Sequence, residues 1–163
     1  MRHELIDGEL VVTPAPAWSH QRAVLALYRQ LHACVAGGIG DVMVAPADII
    51  LDQRTLVEPD LFVVPLVNGR RPRDWASVGE LLLVVEVLSP ATARYDRQLK
   101  RLRYQREGVP EYWIVDVASR LVERWCPEDT RPEIITGALS WQPLATGPEC
   151  VVDLDSVFHE SEG

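Results

Sequence analysis

Two acidic residues sit where side chains are expected to be buried. Glu86 lies inside the apolar run LLLVVEVL, residues 81–88, and Asp60 follows Pro59 at the start of LFVV. An ionised carboxylate taken out of water without a partner costs several kcal/mol at least, so the fold must supply a cation or a metal ion. Two such acids close together raise each other's pKa unless a divalent cation lies between them. Mg²⁺ suits that position because it prefers hard oxygen ligands and needs only one or two protein carboxylates. The simpler alternative is that each acid pairs with a nearby arginine. A third residue weighs against it: Lys100 is the single lysine beside fifteen arginines. A chain that uses arginine for every ordinary cation has a reason to place an ammonium here, since an amine is a compact, tunable charge that can sit beside a scissile phosphate or an attacking water.

Local structure must bring these groups together. Strand alternation puts Glu86 on one face with Val84 and Leu88, and Val85 and Val87 on the other. Lys100 falls in a helix expected from about Arg94 to Glu107, ended by Gly108, with Asp96, Lys100 and Arg103 or Tyr104 on one face and Tyr95, Leu99 and Leu102 toward the core. Upstream, the Asp7-Gly8 pair between short apolar runs predicts a hairpin. Ser19 is placed to cap a helix carrying Val24, Leu27, Tyr28, Leu31 and Val35, which Gly37 and Gly38 stop. DVMVA, ADIILD, VEPDLFVV, EYWIVDV, RLVERW and the run around ECVVDL read as further strands, and residues 68–79 as a polar loop with one helical turn. The expected architecture is an α/β or α+β domain, a mixed β-sheet flanked by two main helices.

Composition bounds the rest. The 163 residues and 47% hydrophobic content fit one domain spanning 1–163, with no segment apolar enough for a membrane span or a signal peptide. A soluble, cytoplasmic protein without a membrane partner is expected. Cys34, Cys126 and Cys150 are odd in number and widely spaced, which argues against a disulfide framework and for small buried apolar groups. His3, His32 and His159 lack the spacing of a zinc site. A net charge of −8 repels nucleic acid overall, so a phosphate-binding surface has to be local. Residues 94–106 offer one, with six basic residues in thirteen.

The series PADIIL, VEPDLFVV, VVEVLSPATARYD, Lys100 and EGVPEYWIVD resembles the Uma-type restriction endonucleases, a branch of the PD-(D/E)XK nuclease-like superfamily, from the ELIDGEL hairpin to VVDLDSVF. The resemblance implies a restriction-endonuclease-like fold that binds Mg²⁺, or Mn²⁺, and hydrolyses phosphodiester bonds of DNA, with RNA as the other nucleic-acid substrate. It maps the two metal-binding acids onto Asp60 and Glu86, helped by the Val87 carbonyl. The superfamily's lysine two residues after the second acid would fall on Leu88, a departure that the Uma-type pattern meets with a lysine on the following helix, here Lys100. Glu9 resembles the N-terminal acid that completes the metal site. His20, Asp96, Arg97, Arg101, Arg103 and Tyr104 are candidates to support the site or touch nucleic acid, and a homodimer would present two sites to one duplex. The competing reading is a module of the same fold that binds protein or nucleic acid without cutting.

Overall fold

Asp7 and Gly8 both adopt positive φ, 49° and 83°. That is the backbone a tight two-residue hairpin turn needs. It folds β1 (Arg2–Ile6) against β2 (Glu9–Thr13) with Glu4 opposite Val11 and Ile6 opposite Glu9. The computed structural model describes residues 1–162. After the hairpin comes a first helix (Trp18–Val35), then β3 (Gly40–Val44), β4 (Ile49–Asp52), β5 (Thr55–Val57), β6 (Leu61–Pro65) and β7 (Leu83–Val87). A second helical segment, here called the site helix, runs as one α-turn at Ala93–Tyr95, a π-helical turn at Asp96–Lys100 and an α-helical stretch at Arg101–Arg106. It leads into β8 (Glu111–Asp116), β9 (Leu121–Trp125), β10 (Glu133–Ile135), β11 (Ala138–Trp141), β12 (Cys150–Asp153) and a C-terminal helix (Leu154–Glu162).

The central sheet has the order β10-β9-β8-β7-β6-β3. Every pairing in it is antiparallel except β7 with β8, which run parallel because the site helix carries the chain back to the same end. A second sheet, β2-β1-β5-β4, lies apart, and β11 pairs with β12. Alternation sorts the central strands onto two cores. Leu61, Val63, Val85 and Val87 pack with Leu27, Leu31, Val157 and Phe158 of the first and C-terminal helices. Phe62, Val64, Val84 and Ile114 point the other way, to Ile6, Val57 and the site-helix residue Tyr104. Each fully buried Leu, Val or Phe side chain contributes roughly 1.5–3 kcal/mol, so the two faces hold the sheet firmly between helices on one side and the smaller sheet with the site helix on the other. Glu86 shares the second face, as the alternation of its strand requires.

Several local expectations change. Ser19 does not cap the first helix, which starts two residues earlier than such a cap would give, with Ala17 at the N-cap and no side-chain cap. VEPDLFVV is two strands, β5 and β6, because Pro59 cannot donate to a ladder. ECVVDL continues from β12 directly into a short third helix, whose Leu154, Val157 and Phe158 complete the first core beside the two main helices. Cys34 and Cys150 are not independent apolar fillers: they form a disulfide between the first helix and β12, with Cα atoms 5.7 Å apart, and Cys126 is free. The two residues lie 116 positions apart, a pairing that only the fold reveals.

Candidate active site

β6 and β7 pair with Leu61 opposite Val85 and Phe62 opposite Val84. One further step of that antiparallel register sets Asp60 opposite Glu86, on the face that carries Phe62 and Val84, the closest placement two strand residues can have. Both are buried, Asp60 3% and Glu86 1% exposed. Past the end of β6 the amide of Val87 has no strand partner on that side, and it donates instead to Asp60 Oδ2 at 2.8 Å. Arg2 Nη1 donates to Asp60 Oδ1 at 2.8 Å, and His20 Nε2 lies 3.1 Å from Asp60 Oδ2. Burial alone would push the Asp60 carboxyl up, but His20, Arg2 and the Val87 amide outweigh it and hold the group well below the usual carboxylate range.

Lys100 is 2% exposed and reaches the same face from the site helix. Its Nζ donates to Glu86 Oε1 at 3.1 Å and lies 2.8 Å from Glu4 Oε2 and 3.5 Å from Asp96 Oδ1. The π turn puts Asp96 and Lys100 on one side, and π turns of this kind recur at functional sites. The Tyr112 hydroxyl donates to the Asp96 carbonyl at 2.9 Å, which seats that turn on β8. Three carboxylates therefore surround one ammonium. Burial drives Glu86 well above its ordinary value, and the neighbouring Asp60, Asp96 and Glu4 add to it against the pull of Lys100. Burial likewise raises Asp96 to about 6. For Lys100 the desolvation that would lower its pKa is overcome by Glu86, Asp96 and Glu4, so the ammonium stays charged.

Of the sequence candidates, Asp60, Glu86, Lys100, Asp96, His20 and the Val87 backbone converge, and the buried Tyr104 hydroxyl lies among them without a hydrogen-bond partner. Glu9 does not join them. It is exposed at the turn end of the hairpin, two residues or about 6.6 Å along the strand from the level of Glu4, and Glu4 is the hairpin acid that faces the site. Glu4 and Arg2 were missed, although β1 carries the signal: residues 2, 4 and 6 alternate onto one face, so an acid two places before Ile6 points inward as Glu86 does. The arginines of the site helix are largely committed elsewhere. Arg103 is buried, pairing with Asp7 at 3.2 Å, with Asp52 at 2.6 Å and with Glu107. Arg97 binds Glu123 at 2.7 Å and Asp116 at 3.5 Å, and Arg101 lies over the Trp125 ring, 4.5 Å from its centroid. The expectation that Arg103 touches nucleic acid is therefore corrected.

Whether a divalent cation suits this pocket depends on its donors. Among the described residues no three His, Cys, Asp or Glu side chains are gathered as a ready metal cluster, because Lys100 stands between the acids. The donor chemistry nevertheless fits. Glu4, Asp60 and Glu86 are hard oxygen ligands, and with Asp96 these four carboxylates outnumber the two cations paired with them, Lys100 and Arg2.

Acids on adjacent strands of a mixed sheet, with a lysine brought in by the helix between two parallel strands, define a protein of the restriction-endonuclease-like nuclease fold. A crystal structure of a putative nuclease belonging to DUF820 from Anabaena variabilis ATCC 29413 superposes with a TM-score of 0.77 at 14% identity, covering 98% of this chain and 90% of that one. Residues 1–155 match the family model Uma2, described as putative restriction endonuclease, and the chain belongs to that family. No curated protein sequence matches it. No helix among the described residues is long and apolar enough to cross a membrane.

Proposed function

We propose that the protein is a metal-dependent nuclease that hydrolyses phosphodiester bonds of DNA. The observation that carries the reading is the buried convergence of Asp60, the residue just before β6, and Glu86 on the adjacent β7, with the only lysine of the chain 3.1 Å from Glu86. Asp60, Glu86 and Glu4 would hold Mg²⁺ or Mn²⁺, with the Val87 carbonyl as a further donor. When bound, such an ion polarises the phosphate and lowers the pKa of a water. Arg2 and His20 fix Asp60 as a carboxylate in one orientation. Lys100, held as a cation by its three acids, is placed to stabilise negative charge developing on a phosphate oxygen beside Glu86. The Tyr104 hydroxyl, buried beside these groups, has no hydrogen-bond partner and is free to donate.

The alternative, a non-catalytic binding module, gains some support from the same ion pairs, since Lys100 and Arg2 already neutralise part of the acid cluster. The surplus of carboxylates, four against the two cations Lys100 and Arg2, favours the nuclease. Calorimetric titration with Mn²⁺ and cleavage assays on DNA and RNA test the reading. Wild type is expected to bind the ion and cut, while Glu86→Ala and Asp60→Asn lose both. Cutting that survives Glu86→Ala, or no ion binding by wild type, overturns it.

A further inference from the structure

Beside Asp60 the site opens into a groove of about 260 Å³, at whose inner end lie Arg2, His20 and Asp60. Its walls are apolar: Pro14 and Pro16 on one side and Leu25 of the first helix on the other. Gln21 and Leu25 line it, and Trp18 stands three and seven residues before them, so Trp18 extends the same helix face at the rim. Trp18 is 78% and Leu25 49% exposed. An indole left in water one helical turn from a groove-lining residue is an informative feature, unlike a scattered exposed leucine.

The charges around the site complement this. A duplex is gripped through its phosphates by lysine and arginine. Here Arg97, Arg103 and Arg106 of the site helix are bound to carboxylates, and the chain carries a net charge of −8. Single-stranded nucleic acid instead draws much of its affinity from bases stacked on apolar and aromatic side chains. Glu58 also lines the groove, which disfavours a phosphate in its outer part and leaves that space to an uncharged base. The volume lies just under the roughly 300–1,000 Å³ of clefts that enclose drug-sized molecules, which suits a single nucleotide.

We propose that this groove holds one unpaired nucleotide, its base against Pro14, Pro16 and Leu25 with Trp18 stacking at the rim, and its phosphate toward the metal site at Asp60, making single-stranded or locally unpaired nucleic acid the substrate. The proposal rests on the nuclease reading for the identity of the site. It is tested with the full chain by fluorescence anisotropy of a labelled single-stranded oligonucleotide and a blunt duplex of the same sequence in Ca²⁺, together with cleavage of both in Mg²⁺ or Mn²⁺. The single strand should bind at least tenfold more tightly than the duplex. Trp18→Ala should weaken single-strand binding about five- to a hundredfold, the equivalent of one stacked base, and Trp18→Phe should recover most of it. Equal affinity for both substrates, or a Trp18→Ala variant that binds like wild type, overturns the groove. Duplex cleavage lost in Glu86→Ala but indifferent to Trp18 overturns the groove and keeps the nuclease. Binding of single strands through Trp18 with no cleavage of any substrate keeps the groove and overturns the nuclease.

Discussion

Around Lys100 three carboxylates share one ammonium, and Asp96 registers the crowding most measurably. Burial, with Asp60 and Glu4 nearby, raises its pKa to about 6. An unfolded aspartate titrates near 3.9, so between about pH 4 and 6 the folded chain binds more protons than the unfolded one. Stability of the metal-free protein should therefore fall as pH rises through that window, Asp96 contributing on the order of 2 kcal/mol, and Asp96→Asn should lessen the fall while the raised Glu86 keeps part of it. Thermal melts of the two proteins at matched pH check this; parallel curves would contradict it. Lys100→Met leaves Glu4, Glu86 and Asp96 without their cation, at about 3–5 kcal/mol when the ion is absent. Excess Mn²⁺ should raise the melting temperature of this variant more than that of wild type, since the acids are then free to hold it. Lys100→Arg should fold yet not turn over, because a planar guanidinium does not fit the place of a point charge. The sequence made Glu86 and Lys100 legible because each breaks a local pattern. Glu4 breaks one too, more quietly, in a strand of only five residues where Glu9 stood closer to the recognisable hairpin.

The site helix shows what periodicity cannot tell. Its basic residues were read as one phosphate-facing surface, but their partners come from distant elements: Asp7 from the hairpin turn, Asp52 from β4, Glu123 from β9. A sequence shows which residues share a helix face and is silent on which acids arrive opposite. Arg103 in particular is a clasp between helix, turn and β4. Because Asp7 and Asp52 keep contact with water, Arg103→Ala should cost about 1–2 kcal/mol, read as a lower denaturation midpoint with an unchanged slope. With so few arginines left to neutralise phosphates, nucleic-acid affinity should fall only shallowly with salt, with a log-log slope of about −1 to −2. A slope several times steeper would locate a basic surface other than this helix. The π turn and the C-terminal helix were equally hidden, the first because it differs from an α-helix by one extra residue in a turn, the second because LDSVFHESE is short and its apolar face shows only against the first core.

At the scale of the whole chain, the Cys34–Cys150 disulfide joins the first helix to β12 across 116 residues. A loop of about that length is worth on the order of 4 kcal/mol in the chain-entropy account. Reductant should lower the melting temperature of wild type and leave a Cys150→Ser variant unaffected; equal responses would mean the bond is not formed in solution. The twofold pairing expected from duplex geometry has no role if the substrate is unpaired, and light scattering should then give the 18.3 kDa of one chain. The strands were largely readable from composition and turn residues, including the hairpin and ADIILD, whereas their separation into a second sheet was not, since it rests on β5, too short at three residues to carry a period. The acids and the lysine also come from positions far apart along the chain, residues 4, 60, 86, 96 and 100, on two sheets and a helix whose place is set only when β8 docks beside β7. During synthesis Glu4 emerges first and waits for most of the chain before it meets Lys100. A chain that stops before β8 thus has the acids in its sequence but no pocket to hold them, so under the proposed reading a truncated product would have no means to cut nucleic acid.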